Sequence, residues 1–315
     1  MATAAVVLPT RSKKRVAQFA WITLGFFILV VLWGAVVRAT GSGGGCGSNW
    51  PLCNGDYFPH HPRLATIIEF THRSTSGICT FLLIALGVFT FRVTPAGHRA
   101  RKAVSWAGVL LVTEALLGAM LVLKHYVEAN VSTGRVIAQS IHLTNTMLFM
   151  ASLALTAWFL TESDDTHRLD ARGSRALAVV GIVATLVVAA TGSLAALADT
   201  LFPSSSLAAA FAADAAAGSP VLVRMRWLHP AAAVVSAVCV LLLVRGAAMR
   251  RPIARIVVAM LALQFVLGIG DVLLLAPIWM QVLHLLSADV YWIALVVLVS
   301  EIFWSSELRR ANILP

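Results

Sequence analysis

The chain has 315 residues, of which 59% are hydrophobic and only 12% are charged, and its mean hydropathy is +0.85. A typical soluble domain carries about 25% charged residues, so this composition excludes a soluble globular enzyme, a disordered chain and a secreted disulfide scaffold. The formal net charge of +10 comes from short basic clusters between apolar segments, which is typical of cytoplasmic loops and not of a nucleic-acid-binding surface.

Eight apolar segments are long enough to cross a bilayer as helices, which takes about 20 residues each. In chain order they are 17–38, 67–91, 103–123, 136–160, 176–198, 227–244, 256–275 and 281–304. The first follows a basic stretch and has no small-residue cleavage site after it, which predicts a span and not a secretory signal. Because the apolar runs are long and continuous, they favour helices over barrel strands, and we predict an all-α integral membrane protein.

The basic residues predict the orientation of these spans. Seventeen of the 24 Lys and Arg residues lie at the two termini and in loops 92–102, 161–175 and 245–255. The positive-inside rule therefore puts both termini in the cytoplasm. Loops 39–66 and 199–226 then face outward from a multi-pass protein of the cell membrane.

The halves of the chain, 17–160 and 176–304, repeat short motifs. The matches are Thr40-Gly41-Ser42 with Thr191-Gly192-Ser193, Leu117-Gly118 with Leu267-Gly268, and Gln139-Ser-Ile-His142 with Gln281-Val-Leu-His284. Four helices separate equivalent segments, so the halves are predicted to run parallel as two tandem four-helix bundles. The predicted division is 1–160, a cytoplasmic linker 161–175, and 176–315.

Four of the nine histidines fall inside apolar spans, where polar residues are costly and usually functional: His72, His142, His229 and His284. Each lies near the start of an even-numbered span, where the helix dipole favours neutral imidazole. Each half thus supplies two imidazoles from two helices, which suits one haem between two axial ligands. Zinc fits less well because it requires four donors around one point. The other five, His60, His61, His98, His125 and His167, are predicted to be solvated loop residues.

Charged residues near these histidines differ between the halves. The position three before the histidine holds Glu69 in the first half and Arg226 in the second. Glu69 shares a helix face with His72 and is a candidate catalytic carboxylate, although it could instead only pair with Arg73 or Arg38. Four arginines are candidates to bind haem propionates, with lipid phosphate as the alternative partner: Arg38, Arg73, Arg135 and Arg226.

Three further acids lie within the spans. Glu114 stands where the second half has Gln264, and it could relay protons or form a hydrogen bond within the bundle. Asp271 and Asp289 are given no role.

Two cysteines, Cys46 and Cys53, lie in the glycine-rich loop that follows the first span. The exterior is oxidising, so they can pair, either as a structural clip or as a redox-active thiol pair. Cys79 and Cys239 lie within apolar helices and are predicted to be small buried hydrophobes.

Together these features resemble the haem A synthase family over about residues 17–304. The specific motifs are Cys46 with Trp50-Pro51-Leu52-Cys53-Asn54-Gly55, and Glu69-Phe-Thr-His72-Arg73 at the start of the second span. The resemblance implies oxidation of the C8 methyl of haem O to a formyl group. Two successive hydroxylations would give a geminal diol that loses water.

The resemblance also implies roles for individual residues. His72 and His142 would hold the substrate haem O, while His229 and His284 would hold a haem B that passes electrons. Glu69 would assist at the reacting methyl, and Cys46–Cys53 would be the family's outer-loop pair. Loop 199–226 has no cysteine, so the second pair found in some members is absent. The implied partners are haem O synthase, an unidentified electron donor, the lipid bilayer and a second copy of the chain.

Two other functions are compatible with the pattern. A diheme b-type cytochrome would only transfer electrons, for instance with quinol. A transporter with tandem repeats would have helices broken near the midplane, and the even-numbered spans have no Gly or Pro break at their centres.

Overall fold

The computed structural model describes residues 10–161, 174–245 and 252–311. Within these ranges the regular structure is helical, apart from one isolated β-bridge between Cys53 and Asp56. Most of the predicted linker 161–175, His167, and part of the basic loop 245–255 lie outside the described residues.

Eight long helices correspond to the eight predicted spans. They are α1 (Thr10–Ala39), α2 (Leu64–Val93), α3 (Arg99–Leu123), α4 (Thr133–Thr161), α5 (Ser174–Leu201), α8 (Leu228–Arg245), α9 (Pro252–Leu273) and α10 (Ile278–Ala311). All eight spans are long and apolar enough to cross a membrane, which confirms that prediction. The spans begin and end within a few residues of the predicted limits, except that α1 and α10 extend about two turns into polar sequence.

Two long loops carry short helices that the hydropathy pattern did not predict. The first long loop, residues 40–63, begins with a 3₁₀ turn at Ser42–Gly44. The second long loop, residues 202–227, contains α6 (Leu207–Ala215) and α7 (Val221–Arg224). Ser206 caps α6, because its hydroxyl accepts a hydrogen bond from the Ala209 amide at 3.2 Å.

In the α2–α3 turn, the Arg101 side chain satisfies backbone carbonyl groups at the end of α2. Arg101 donates to the carbonyl of Phe91 at 2.7 Å and also to the carbonyl of Thr94. A cation at this position interacts favourably with the negative end of the α2 dipole. Gly97 takes a positive φ of 83° in the turn, a conformation that glycine adopts without steric cost.

Helices α4 and α10 lie at the centre of the protein, whereas α3 and α9 are the most exposed to the surroundings. Helix α1 contacts α2 and α4 of its own half and α5 and α10 of the other half. One continuous apolar core therefore includes side chains from both halves. The indole of Trp292 on α10 donates to the Met147 carbonyl on α4 at 2.7 Å and ties the halves together at their centre.

Arg38, at the end of α1, shows which helix ends lie together. Its guanidinium donates to the Ala196 carbonyl and the Thr200 hydroxyl near the end of α5, and to Gln281 near the start of α10, at 2.6–2.7 Å. Gly43 of the first long loop lies against Val127 of the α3–α4 connection. The long loops and the histidine-bearing ends of the helices thus occupy the same end of the protein.

The aromatic core can be tested with Phe149, which is 1% exposed and packs edge-to-face on Phe27 with ring centroids 4.5 Å apart. We expect Phe149→Ala to lower the free energy of unfolding by about 2 kcal/mol or more, because it leaves a cavity between α1 and α4. The matched control is Leu116→Ala, which truncates a side chain that is 59% exposed and should change stability by about 0.5 kcal/mol or less. Unfolding in mixed detergent micelles measures both, and equal losses would contradict the packing.

Candidate functional site

Each of the four span histidines lies against a glycine on a neighbouring span. The pairs are His72 with Gly34, His142 with Gly118, His229 with Gly192, and His284 with Gly268. A Cβ atom built on these glycines would lie 3.0, 3.9, 2.9 and 3.4 Å, respectively, from Cε1 of the imidazole. At Gly34 and Gly192 in particular, the missing side chain makes the room that the ring occupies.

These contacts correct one part of the predicted repeat. The tripeptide pattern aligned Gly192 with Gly41, but Gly192 contacts a histidine as Gly34 does. Gly41 lies beyond the end of α1, with a φ of 65° and no atom within 4 Å of its Cβ position. The tripeptide match gave the wrong alignment, because short motifs recur by chance in an apolar chain of low complexity. The match of Gly118 with Gly268 agrees with the contacts.

The members of each predicted histidine pair lie near each other. The rings of His229 and His284 have centroids 6.3 Å apart and planes at 87°. Two imidazoles that share one metal ion through bonds of about 2 Å have ring centroids about 6 Å apart. His72 and His142 are close enough to interact electrostatically. We call His72 with His142 the first-half site, and His229 with His284 the second-half site.

The Nδ1 atom of one histidine in each site faces an oxygen atom. In the second-half site, Nδ1 of His229 lies 3.1 Å from the Val188 carbonyl oxygen. In the first-half site, Nδ1 of His142 lies 3.4 Å from Oε1 of Glu114. A proton held on Nδ1 leaves Nε2 free to ligate a metal. Nδ1 of His72, of His142 and of His284 is buried and makes no hydrogen bond among the described residues, so the Glu114 carboxylate is a charged neighbour of His142 at 3.4 Å and not a hydrogen-bond acceptor.

Within the described ranges, no three His, Cys, Asp or Glu side chains come together as a cluster that could hold a bare metal ion. Two imidazoles per site suffice for a metal that brings its own equatorial ligands, as haem iron does. The donor set therefore fits haem.

The first long loop is fastened to α2 by Glu69, a carboxylate that is only 3% exposed. Its Oε2 accepts the Cys46 amide at 2.7 Å, while its Oε1 accepts two N–H groups of Arg73 at 2.5 and 3.1 Å. The pairing with Arg73, which the sequence left open, is thus present. Cys46 and Cys53 form a disulfide, and Arg73 also donates to the Asn49 carbonyl in the same loop.

The second long loop is fastened in an analogous way with the charges reversed. Arg226 occupies the position equivalent to Glu69, and it pairs with Asp199 on α5 and Asp214 on α6, both at 2.9 Å. Sequence reasoning missed these two aspartates. An acid at the end of a span and another in a loop of small apolar residues could have indicated ion-pair partners for Arg226.

The four candidate arginines differ in whether their guanidinium groups contact carboxylates or neutral oxygens. Arg73 and Arg226 are each paired with a carboxylate. Arg38 donates to neutral oxygens only, and Arg135 donates to the carbonyls of Glu128 and Asn130. Arg135 is 3% exposed, and its Nε has no partner in the described parts of the chain.

The remaining histidines and cysteines mostly follow expectation. His60, His61 and His125 are exposed, whereas His98 is half-buried because its ring accepts the Ala100 amide at the start of α3. Cys79 is buried and Cys239 is partly buried, and both are free thiols. Asp289 is fully buried, and neither carboxylate oxygen has a partner within the described ranges.

The sequence matches a model of the cytochrome oxidase assembly protein family, COX15-CtaA, over residues 17–296. A protein of Thermus thermophilus named protoheme IX farnesyltransferase is 40% identical over 301 residues, which cover 93% of this chain and 49% of that protein. Heme A synthase of an Exiguobacterium strain is 30% identical over 57% of each chain. Heme A synthase of Alkalihalophilus pseudofirmus is 41% identical over 34% of this chain and 36% of its own.

The chain thus spans about half the length of the first of these relatives. The family match covers most of the chain, and it includes the cysteine loop and all four span histidines. The haem A synthase resemblance seen in the motifs is confirmed, and the chain belongs to the COX15-CtaA family of cytochrome oxidase assembly proteins.

Proposed function

We propose that this chain is a haem A synthase, which oxidises the C8 methyl group of haem O to a formyl group. Two successive hydroxylations of the methyl carbon give a geminal diol, and loss of water gives the aldehyde. The family match and the heme A synthases among the relatives support this proposal. The observation that carries it is the pairing of half-buried imidazoles within the spans, with centroids 6.3 Å apart in the second-half site.

We infer that one site binds the substrate and the other binds a cofactor. The first-half site takes haem O as substrate, because the Glu114 carboxylate lies 3.4 Å from His142 and Glu69 lies three residues before His72 on α2. The second-half site holds haem B, and its redox-active iron supplies electrons when bound. Its histidines have an amide, Gln264, where the first half has Glu114. This assignment also rests on the two halves being tandem, parallel-related four-helix bundles.

The protein's own residues orient the substrate. His72 on α2 and His142 on α4 supply the two imidazoles. The glycines on the neighbouring helices, Gly34 and Gly118, lie against these rings and set their position. Arg38 and Arg135 are the best propionate partners, because neither is paired with a carboxylate at hydrogen-bonding distance among the described residues. Glu69 lies one helical turn before His72, where a carboxylate can accept a proton or stabilise positive charge near the reacting methyl.

The surroundings of the protein follow from the same proposal. The charge pattern supports an orientation with both termini in the cytoplasm and the first long loop on the outer face of the cell membrane. The Thermus thermophilus relative is named for farnesyl transfer to protoheme IX and is about twice as long as this chain. A farnesylated haem is therefore the expected substrate, and the enzyme that makes it, haem O synthase, is the expected neighbour. A separate protein is expected to donate electrons.

The proposal predicts which haems the purified protein carries. Mass analysis of extracted haems should find haem B together with haem O or haem A, and supplied haem O should be converted. His229→Met and His284→Met should alter the reduced-minus-oxidised spectrum of the haem B, since each replaces an imidazole that would hold its iron. Haem B alone, even with haem O supplied, would instead favour an electron-transferring diheme cytochrome.

The glycines provide a matched series of variants. Gly192→Ala and Gly34→Ala each put a methyl group within 3.0 Å of an imidazole carbon, whereas Gly118→Ala leaves an ordinary 3.9 Å contact. We expect the first to release haem B and the second to release haem O, because the displaced ring no longer reaches the iron. Gly118→Ala should retain both haems. Haem content per chain after gel filtration measures all three, and equal retention would contradict the packing.

Glu69→Gln separates the charge of Glu69 from its hydrogen bond to the loop, since the amide oxygen can still accept the Cys46 N–H. We expect haem A formation to fall by about 100-fold or more, with haem O still bound. Undiminished haem A formation would exclude the proposed role.

The control for that experiment is Arg73→Gln, which removes the ion pair and leaves the carboxylate in place. If Glu69 matters only as the partner of Arg73, this variant will lose as much activity as Glu69→Gln. A clearly smaller loss supports a direct role of the carboxylate at the substrate.

A further inference from the structure

We propose that Glu114 makes His142 the permanent haem ligand of the first-half site and leaves His72 as the ligand that can be released. Glu114 acts here as a positioning residue. The inference rests on the proposed function and deepens it, because it says on which side of the substrate haem a coordination position can open.

Glu114 is held in place by a polar network between α3 and α4. Its Oε1 accepts the Thr146 hydroxyl at 2.5 Å, and its Oε2 accepts the Asn145 amide at 2.6 Å. Asn145 is itself fixed, because its amide oxygen accepts the Thr113 hydroxyl at 2.7 Å. The carboxylate therefore stays beside Nδ1 of His142, 3.4 Å away.

A carboxylate beside Nδ1 has two effects on a histidine that ligates a metal through Nε2. It keeps the proton on Nδ1, and it makes the ring a more basic and more strongly bound ligand. Loss of such a partner typically lowers metal affinity by about 10- to 100-fold.

His72 has no equivalent support. Nδ1 of both His72 and His142 is buried without a hydrogen bond in the described ranges, but His142 has the Glu114 carboxylate 3.4 Å away, whereas no described carboxylate lies within 4 Å of the His72 ring nitrogens. The His72 ring lies against the Gly34 backbone. Of the two first-half ligands, His72 is thus the weaker. If haem were held between the two rings, release of His72 would free the coordination position on the side of α2, the helix that carries Glu69.

The second half lacks this network. Gln264 replaces Glu114, and its amide donates to the His284 backbone carbonyl at 3.3 Å, away from the ring. Ser287 and Ala288 replace Asn145 and Thr146, and the Ser287 hydroxyl has no partner among the described residues. The supported ring is instead His229, through the neutral carbonyl of Val188. A charged support beside a ligand is therefore a feature of the first-half site.

Single-histidine variants of the full chain in detergent test the inference, with haemin as the probe. With the second-half site already filled, His72→Ala should bind haemin at the first-half site about 10- to 100-fold more tightly than His142→Ala. Glu114→Gln added to His72→Ala should remove that advantage, while added to His142→Ala it should change little. Glu114→Asp should restore part of the affinity.

Resonance Raman spectra of the reduced His72→Ala protein provide a readout that a merely structural role of Glu114 would not move. The iron–imidazole stretching band should shift to lower frequency when Glu114 becomes Gln. Gln264→Glu is the matched control, because that side chain reaches the backbone of His284 and should leave the first-half affinity unchanged.

The outcomes separate the inference from the proposed function. Equal haemin affinities for the two single-histidine variants, or an unshifted stretching band, would overturn the role of Glu114 and leave two haem sites intact. If the unmodified protein takes up no haem that depends on His72 or His142, the proposed function fails as well. Haem retained at His229 and His284 in each variant shows that the chain is folded.

Discussion

The site depends on imidazole rings lying against glycines of neighbouring helices within a membrane-spanning protein. A polar ring is costly in that environment, and a helix pair can enclose it most closely where one backbone lacks a side chain. Gly34 and Gly192 make the closest of these contacts, since a Cβ atom built on them would lie 3.0 and 2.9 Å from the histidine carbons. The rings are thereby held at the contact between spans, where the members of each pair face one another.

The two halves share this geometry and differ in the charges around it. The position three before the histidine fastens a long loop in both halves, through Glu69 to the Cys46 amide and through Arg226 to Asp214. Opposite charges thus perform the same structural task. In the first half a second carboxylate, Glu114, stands beside the site. Under the proposed function, this difference would underlie a substrate site in the first half and a cofactor site in the second.

The halves pack against each other, because a single apolar core includes α1, α4, α5 and α10. Arg38 links the end of α1 to α5 and α10 at the level of the long loops. Trp292 links α10 to α4 nearer the centre. Contacts of this kind fix the two sites relative to each other.

The sequence alone determined the eight helices, the four histidines and the family, because long apolar runs report helices directly and a histidine within such a run is conspicuous. It also identified Glu69, Arg226 and the cysteine pair as residues of interest. It could not show what these side chains contact, so Asp199, Asp214 and the carbonyl of Val188 were missed, and Gly41 was aligned in place of Gly34. Only the tertiary structure decided those partners, since they lie on different helices and depend on how the helices pack rather than on spacing along the chain.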